Sequence, residues 1–92
     1  MKNCANYGSV TYSGTTYYVN IGGIAGYFYG SSSKYIWNCL NYGTITHSGT
    51  TPDSLYIGGI LGDTDGATNI ENCLSGGKIS VEKKTGSNIG SI

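Results

Sequence analysis

An internal repeat constrains this chain more than any other feature. The stretch NCANYGSVTYSGTT, which begins at Asn3, returns as NCLNYGTITHSGTT at Asn38 and in shortened form as NCLSGGKIS at Asn72. The copies are 35 and 34 residues apart, a period typical of proteins built from one stacked structural unit. We therefore expect a single repeat domain over residues 1–92, with repeats at approximately 3–37, 38–71 and 72–92.

The three copies place the same kinds of residue at the same positions when they are aligned on their cysteines. The aligned sets are Cys4, Cys39 and Cys73; Gly8, Gly43 and Gly77; Val10, Ile45 and Ile79; and Tyr12, His47 and Val81. Further along, YVNIGGIAG aligns with LYIGGILG and with NIGSI. The small differences in length between copies fall in one stretch, as expected for a loop.

Each repeat predicts three short β-strands and no helix. The segments are exemplified by YIWNCLNY, GTITHSG and LYIGGILG, and the second shows the alternation of a half-buried strand. Gly and Asn stand at every junction, where they supply turn conformations. Ala, Glu, Lys and Leu, which favour helices, are scarce.

A repeat of this size cannot bury a face alone, whereas stacked copies build a continuous core. The sequence therefore predicts an all-β fold, a right-handed parallel β-solenoid of three coils with about three short strands per coil. Equivalent residues would lie about 4.8 Å apart and form ladders of cysteine, isoleucine and asparagine. An antiparallel meander or a β-sandwich is the open alternative.

The charge of the chain excludes some partners. Five basic and five acidic residues cancel, so no field attracts nucleic acid or an anionic membrane. No apolar run approaches the roughly 18 residues of a membrane span, so we expect no membrane insertion. The chain begins directly on a repeat, and we expect it to be a fragment of a larger protein with its targeting segment elsewhere.

The segments Gly23-Ile24-Ala25-Gly26 and Gly59-Ile60-Leu61-Gly62, with NCLNYGTI upstream, resemble the GLUG-type repeat. The resemblance covers the whole chain in three copies, the last of which ends inside its motif at Gly90. Such repeats occur in adhesin-like bacterial proteins and beside the protease domain of some immunoglobulin-cleaving metallopeptidases. The resemblance implies a cell-surface or secreted, non-enzymatic structural or adhesive module. It carries over no catalytic residue and no cofactor.

The partners that follow are adjacent repeats or domains of the parent protein and a host protein or glycan. Two further functions stay open, a glycan-binding module that uses the Tyr-rich first repeat and a subunit that associates end to end into a filament. We expect such end-to-end association of the isolated chain, because unpaired strand edges invite pairing with another chain.

The cysteines allow a disulfide, a metal site or a buried ladder. Their wide spacing matches no zinc pattern, and side chains on adjacent parallel strands orient badly for a disulfide. We interpret Cys4, Cys39 and Cys73 as a structural ladder of reduced thiols.

A calcium loop is the candidate metal site. Asp63, Asp65 and Glu71 with Gly66 match part of such a loop, but Ala67 occupies a ligand position. A solvated turn is the favoured interpretation, so no metal is expected. Catalysis by His47, the sole histidine, would need a nucleophile or an acid near it. Its equivalents in the other repeats are Tyr12 and Val81, so His47 is interpreted as structural. Enzyme function therefore has no candidate residues.

Aromatic residues crowd the first repeat. Seven of the nine tyrosines lie in the first 35 residues, among them Tyr17 and Tyr18. Tyr27, Phe28 and Tyr29 are predicted to form an exposed tip that binds a glycan or a protein. Packing of these rings across strands is the alternative, and it is the favoured one.

Overall fold

The computed structural model describes residues 1–14, 18–30, 33–48, 54–81 and 87–92, which fold as an all-β structure. No helix long and apolar enough to cross a membrane occurs in these ranges. The strands are β1 (Ala5–Asn6), β2 (Val10–Tyr12), β3 (Tyr18–Gly22), β4 (Ala25–Phe28), β5 (Lys34–Trp37), β6 (Leu40–Asn41), β7 (Ile45–His47), β8 (Ser54–Gly58), β9 (Leu61–Thr64), β10 (Thr68–Glu71), β11 (Leu74–Ser75), β12 (Ile79–Val81) and β13 (Ser87–Gly90).

Every strand pair in the described part of the chain is parallel and joins a strand to its equivalent in the next repeat. The sheets are β1-β6-β11, β2-β7-β12, β3-β8-β13, β4-β9 and β5-β10. Parallel partners so far apart in sequence need long connections, which the rest of each repeat supplies. The antiparallel meander is therefore wrong for these residues.

The strand register follows the alignment of the three copies. Ile45 is paired with Val10 on one side and with Ile79 on the other. His47 likewise lies between Tyr12 and Val81. Because a shift of one residue would turn the apolar side chains out of the core, the repeated pattern fixes this register.

In the described residues the first two repeats each contain five strands, so the prediction of about three strands per repeat is wrong. Asn38 has a φ of 57°, which breaks the segment YIWNCLNY into β5 and β6. A bend over Gly23 and Ile24 breaks YVNIGGIAG into β3 and β4. A strand ends where its backbone leaves the extended conformation, so each predicted strand that spans such a bend becomes two.

Asparagines form a ladder along one corner of the molecule, as the repeat predicted. Asn3, Asn38 and Asn72 have φ values of 58°, 57° and 52°. The Nδ2 atom of Asn38 donates to Oδ1 of Asn3 at 2.7 Å, and that of Asn72 donates to Oδ1 of Asn38 at 2.8 Å. Asn tolerates this backbone better than most residues, and its amide joins consecutive repeats.

The described residues form two separate apolar clusters in the interior. Buried residues of the first are Val19, Ile21, Ile45, Leu55 and Ile57. Buried residues of the second are Ile36, Cys39, Ile60 and Leu61. Each cluster draws on at least two repeats, so neither could form within one repeat.

A contact between Gly23 and Asn41 lies between the two clusters. The chain passes from the first cluster, at Ile21, to the second, at Ile24. It returns from the second cluster, at Cys39, to the first, at Ile45. A Cβ at Gly23 would lie 2.4 Å from the Asn41 amide, so only glycine fits there. The fully buried Asn41 accepts hydrogen bonds from Nδ2 of Asn6 at 2.9 Å and from the Gly43 backbone at 3.1 Å.

Candidate ligand-binding surface

The outward face of β3 and β8 carries tyrosines. Side chains alternate along a strand, so the buried Val19 and Ile21 leave Tyr18 and Asn20 on the opposite face of β3. The same alternation in β8 places Tyr56 opposite Leu55 and Ile57. The first and second repeats therefore present their tyrosines on one side of this sheet.

Glycines bring this face against the neighbouring sheet of β4 and β9. A Cβ at Gly22, which shares the face of Tyr18, would lie 1.8 Å from the carbonyl oxygen of Ala25. A Cβ at Gly58 would lie 1.9 Å from that of Leu61. Since no side chain separates the sheets at this corner, residues of β3 can reach residues of β9. The GGIAG and GGILG motifs thus need glycine because two backbone segments approach each other closely at this corner.

Asp63 and Tyr27 face the tyrosines of β3 and β8. They are paired residues on β9 and β4, so their side chains leave the sheet on the same face. The Tyr18 hydroxyl donates to Oδ2 of Asp63 at 3.3 Å, and the Thr64 backbone N–H donates to Oδ1 at 2.8 Å. We call Tyr18, Tyr27, Tyr56 and Asp63 the Tyr18 surface.

The pKa of Tyr18 reflects this setting. Desolvation raises the pKa of the phenol above its ordinary value, and the Asp63 carboxylate raises it further through its charge and its hydrogen bond. Tyr56 and Tyr27 contribute in the same direction. The neutral phenol is therefore stabilised as a hydrogen-bond donor to Asp63.

The rings of the Tyr18 surface are accessible. Tyr18 and Tyr27 are 55% and 46% exposed, and the Tyr18 and Tyr56 rings have centroids 6.0 Å apart and planes tilted by 39°. Beside them Oδ1 of Asn20, the residue paired with Tyr56, is buried with no hydrogen-bond partner among the described residues. The surface can hold a ligand that offers both apolar faces and hydroxyl groups.

The predicted tip of Tyr27, Phe28 and Tyr29 is placed differently. Tyr27 and Phe28 belong to strand β4, and Phe28 packs against the second apolar cluster. Tyr29 follows the strand and is 76% exposed. Only Tyr27 of these three lies in the Tyr18 surface, and Tyr17 lies outside the described residues.

The sequence pattern missed Tyr18, Tyr56 and Asp63 as members of one surface. A usable signal was the alternation in YVNIG and SLYIG, which turns both tyrosines away from the core. No pattern in the sequence indicated that Asp63 lies beside Tyr18, because that contact depends on how the sheet of β4 and β9 meets the sheet of β3 and β8.

The two candidate metal ligands have different partners. Asp63 belongs to the Tyr18 surface, whereas Asp65 forms an ion pair with the buried Lys34. Hydrogen bonding from Lys34 is the main cause that lowers the pKa of Asp65. In the described ranges no group of three His, Cys, Asp or Glu residues could hold a metal ion.

The cysteines lie in the second apolar cluster with free thiols. Cys39, in the middle repeat, is 2% exposed, and Cys4 and Cys73 are half-buried. The Cys39 backbone N–H donates to Sγ of Cys73 at 3.4 Å. The three residues thus occupy equivalent positions along one side of the interior.

His47 is buried at 1% exposure and stacks on Tyr12, with ring centroids 5.4 Å apart. Its position is that of Tyr12 and Val81 in the neighbouring repeats. The side chain therefore contributes to the interior packing of the first cluster.

No family model, curated protein or solved structure matches this chain. Any assignment of function therefore depends on the contacts described above.

Proposed function

We propose that this chain is a GLUG-type repeat module that serves as a non-enzymatic structural and adhesive segment of a bacterial cell-surface or secreted protein. Its fold in this proposal is a right-handed parallel β-solenoid of three coils. The supporting observation is the parallel, in-register pairing of each strand with its equivalent in the next repeat. Such a stack lengthens by adding repeats, as a spacer at a cell surface requires.

The environment of the polar residues supports a non-enzymatic role. His47 is enclosed in the core beside Tyr12, where a substrate has no access. Asp65 is engaged by the buried Lys34. General acid–base chemistry needs such groups within reach of a bound substrate.

Antibodies against the 92-residue chain test the location. They should label intact cells of the source bacterium or detect the protein in its medium, and external protease should remove the cell label. An antibody against a ribosomal protein serves as the control and should label only permeabilised cells. A signal from this chain that requires permeabilisation would refute the proposal.

Force measurements on the chain, held between two handles, test the spacer role. Layers that unfold one at a time should release about 120 Å of chain per repeat. A single step that releases the whole chain at once would mean that the repeats do not act as separate layers.

End-to-end association is a second candidate function, favoured by the direction of the asparagine ladder. Each ladder bond runs from Nδ2 of the later repeat to Oδ1 of the earlier one. Asn3 of one copy could therefore donate to Asn72 of another, with β1 beside β11 and β2 beside β12. Sedimentation of the isolated chain should show association that grows with concentration. A stable monomer at high concentration would exclude this candidate.

A further inference from the structure

We propose that the Tyr18 surface binds an uncharged saccharide. This inference specifies the ligand class for the adhesive role proposed above and rests on that role. The site combines residues of two repeats, because Tyr18 and Tyr27 come from the first, and Tyr56 and Asp63 from the second. It therefore exists only in the stacked fold.

The rings provide the apolar part of the site. Tyr18 and Tyr56 are tilted by 39° at 6.0 Å, so their faces form a shallow angle rather than a closed stack. Tyr27 extends the aromatic area from the adjoining sheet. The apolar C–H face of a pyranose ring packs on such rings, while the phenol hydroxyls stay in contact with water and with the sugar.

Asp63 provides the polar part. A carboxylate accepts up to about four hydrogen bonds, and Asp63 receives one from Tyr18 and one from the Thr64 backbone. The remaining acceptor positions suit the hydroxyl donors of a sugar. The bond from Tyr18 is long at 3.3 Å, so a sugar hydroxyl inserted between the two groups would replace it with little loss.

The charge of the surface selects a neutral ligand. Asp63 is the only charged member of the Tyr18 surface, and Lys34, on β5, is buried against Asp65. The formal net charge of the whole chain is zero. A carboxylate or sulfate on the ligand would face Asp63 with no cation in the Tyr18 surface to offset the repulsion.

The test uses the intact chain on an array of neutral oligosaccharides of glucose, galactose, mannose and N-acetylglucosamine, with their sialylated counterparts. Dense display offsets weak binding to an open surface. Neutral sugars should bind, and sialylation near the contacted ring should reduce the signal. Tyr18→Ala and Tyr27→Ala should each lower affinity about tenfold or more. Tyr18→Phe should lose less, because it keeps the ring.

Tyr7→Ala and Tyr29→Ala are matched controls, since both tyrosines are exposed and lie outside the surface. They should leave binding unchanged, and urea unfolding of every variant should verify the fold. Absence of neutral-sugar binding, or its loss only in the control variants, would overturn the inference. Capture of a host protein without sugar binding would also overturn it. None of these results would affect the surface labelling that tests the proposed function.

Discussion

Asn38 donates a hydrogen bond of 2.7 Å from its side-chain amide to the amide oxygen of Asn3, the equivalent residue one repeat earlier. Both residues also hold the left-handed backbone conformation, which at Asn38 separates β5 from β6. A side chain that tolerates this conformation and a side chain that can link repeats are both needed at this position. Asparagine meets both needs, which explains why it begins all three copies.

Replacing Asn38 separates these two contributions. Asn38→Gly keeps the backbone conformation but loses both ladder bonds, and we expect unfolding free energy to fall by about 1 kcal/mol. Asn38→Ala also strains the backbone, and we expect a further loss of about 1–2 kcal/mol. Urea unfolding measures both values. Asn69→Ala, at an exposed position of β10, should change stability by less than about 0.5 kcal/mol. Equal stability of the Gly and Ala variants would contradict the role given to the backbone.

Removal of the buried Asn41 amide should be more damaging. Asn41→Ala leaves Nδ2 of Asn6 and the Gly43 N–H without their shared acceptor, so we expect a loss of about 2–4 kcal/mol. Asn41→Ser should lose less, because Ser75 occupies the equivalent position in the third repeat. Urea unfolding of the two variants shows which of them is less stable. A serine variant as unstable as the alanine variant would show that the hydroxyl does not replace the amide.

Thiol accessibility should depend on which repeat the cysteine belongs to. Cys39 is enclosed, whereas Cys4 and Cys73 are half-buried. In the native protein we expect iodoacetamide to modify Cys39 last. In denaturant without reductant, mass spectrometry should find three modified cysteines. A mass lower by two hydrogens before alkylation would reveal a disulfide and refute the interpretation of a reduced ladder.

The ion pair of Lys34 and Asp65 should make stability depend on acid pH. The pKa of Asp65 is lower in the folded chain, chiefly because Lys34 hydrogen-bonds to its carboxylate. The contribution is therefore fully present above the unfolded pKa of about 3.9 and is lost as the pH falls through the folded pKa. Asp65→Asn should be less stable than the wild type at pH 7, and the difference should shrink toward pH 2. A difference that is constant with pH would mean that the pair does not contribute through charge.

The register of the strands was predictable from sequence because the repeats determine it. Val10, Ile45 and Ile79 stand at equal distances from their cysteines, and each must point into the core. The number of strands was not predictable in the same way. Asn38 stands inside an apolar, strand-like segment, and nothing in the letters distinguishes an extended asparagine from a left-handed one.

The Tyr18 surface marks the limit of such prediction. Tyr18 and Asp63 are 45 residues apart and occupy different positions in different repeats. Their contact depends on the corner at which β3 meets β4, and the glycines there permit a close approach without specifying its direction. Phe28 shows the same limit. The alternation within YFY places Phe28 on one side of the strand and the two tyrosines on the other, but it does not indicate which side packs against the core.

The meeting of Gly23 with Asn41 has an energetic consequence. It divides the apolar interior of the described residues into two columns of packing, which are joined by the backbone but lie in separate clusters. Substitutions in different columns should therefore add, as Ile45→Val and Ile36→Val would, to within about 0.5 kcal/mol. Ile45→Val and Ile57→Val lie in one column, so their effects on the free energy of unfolding need not add. Each column can thus change its side chains without forcing the other to repack.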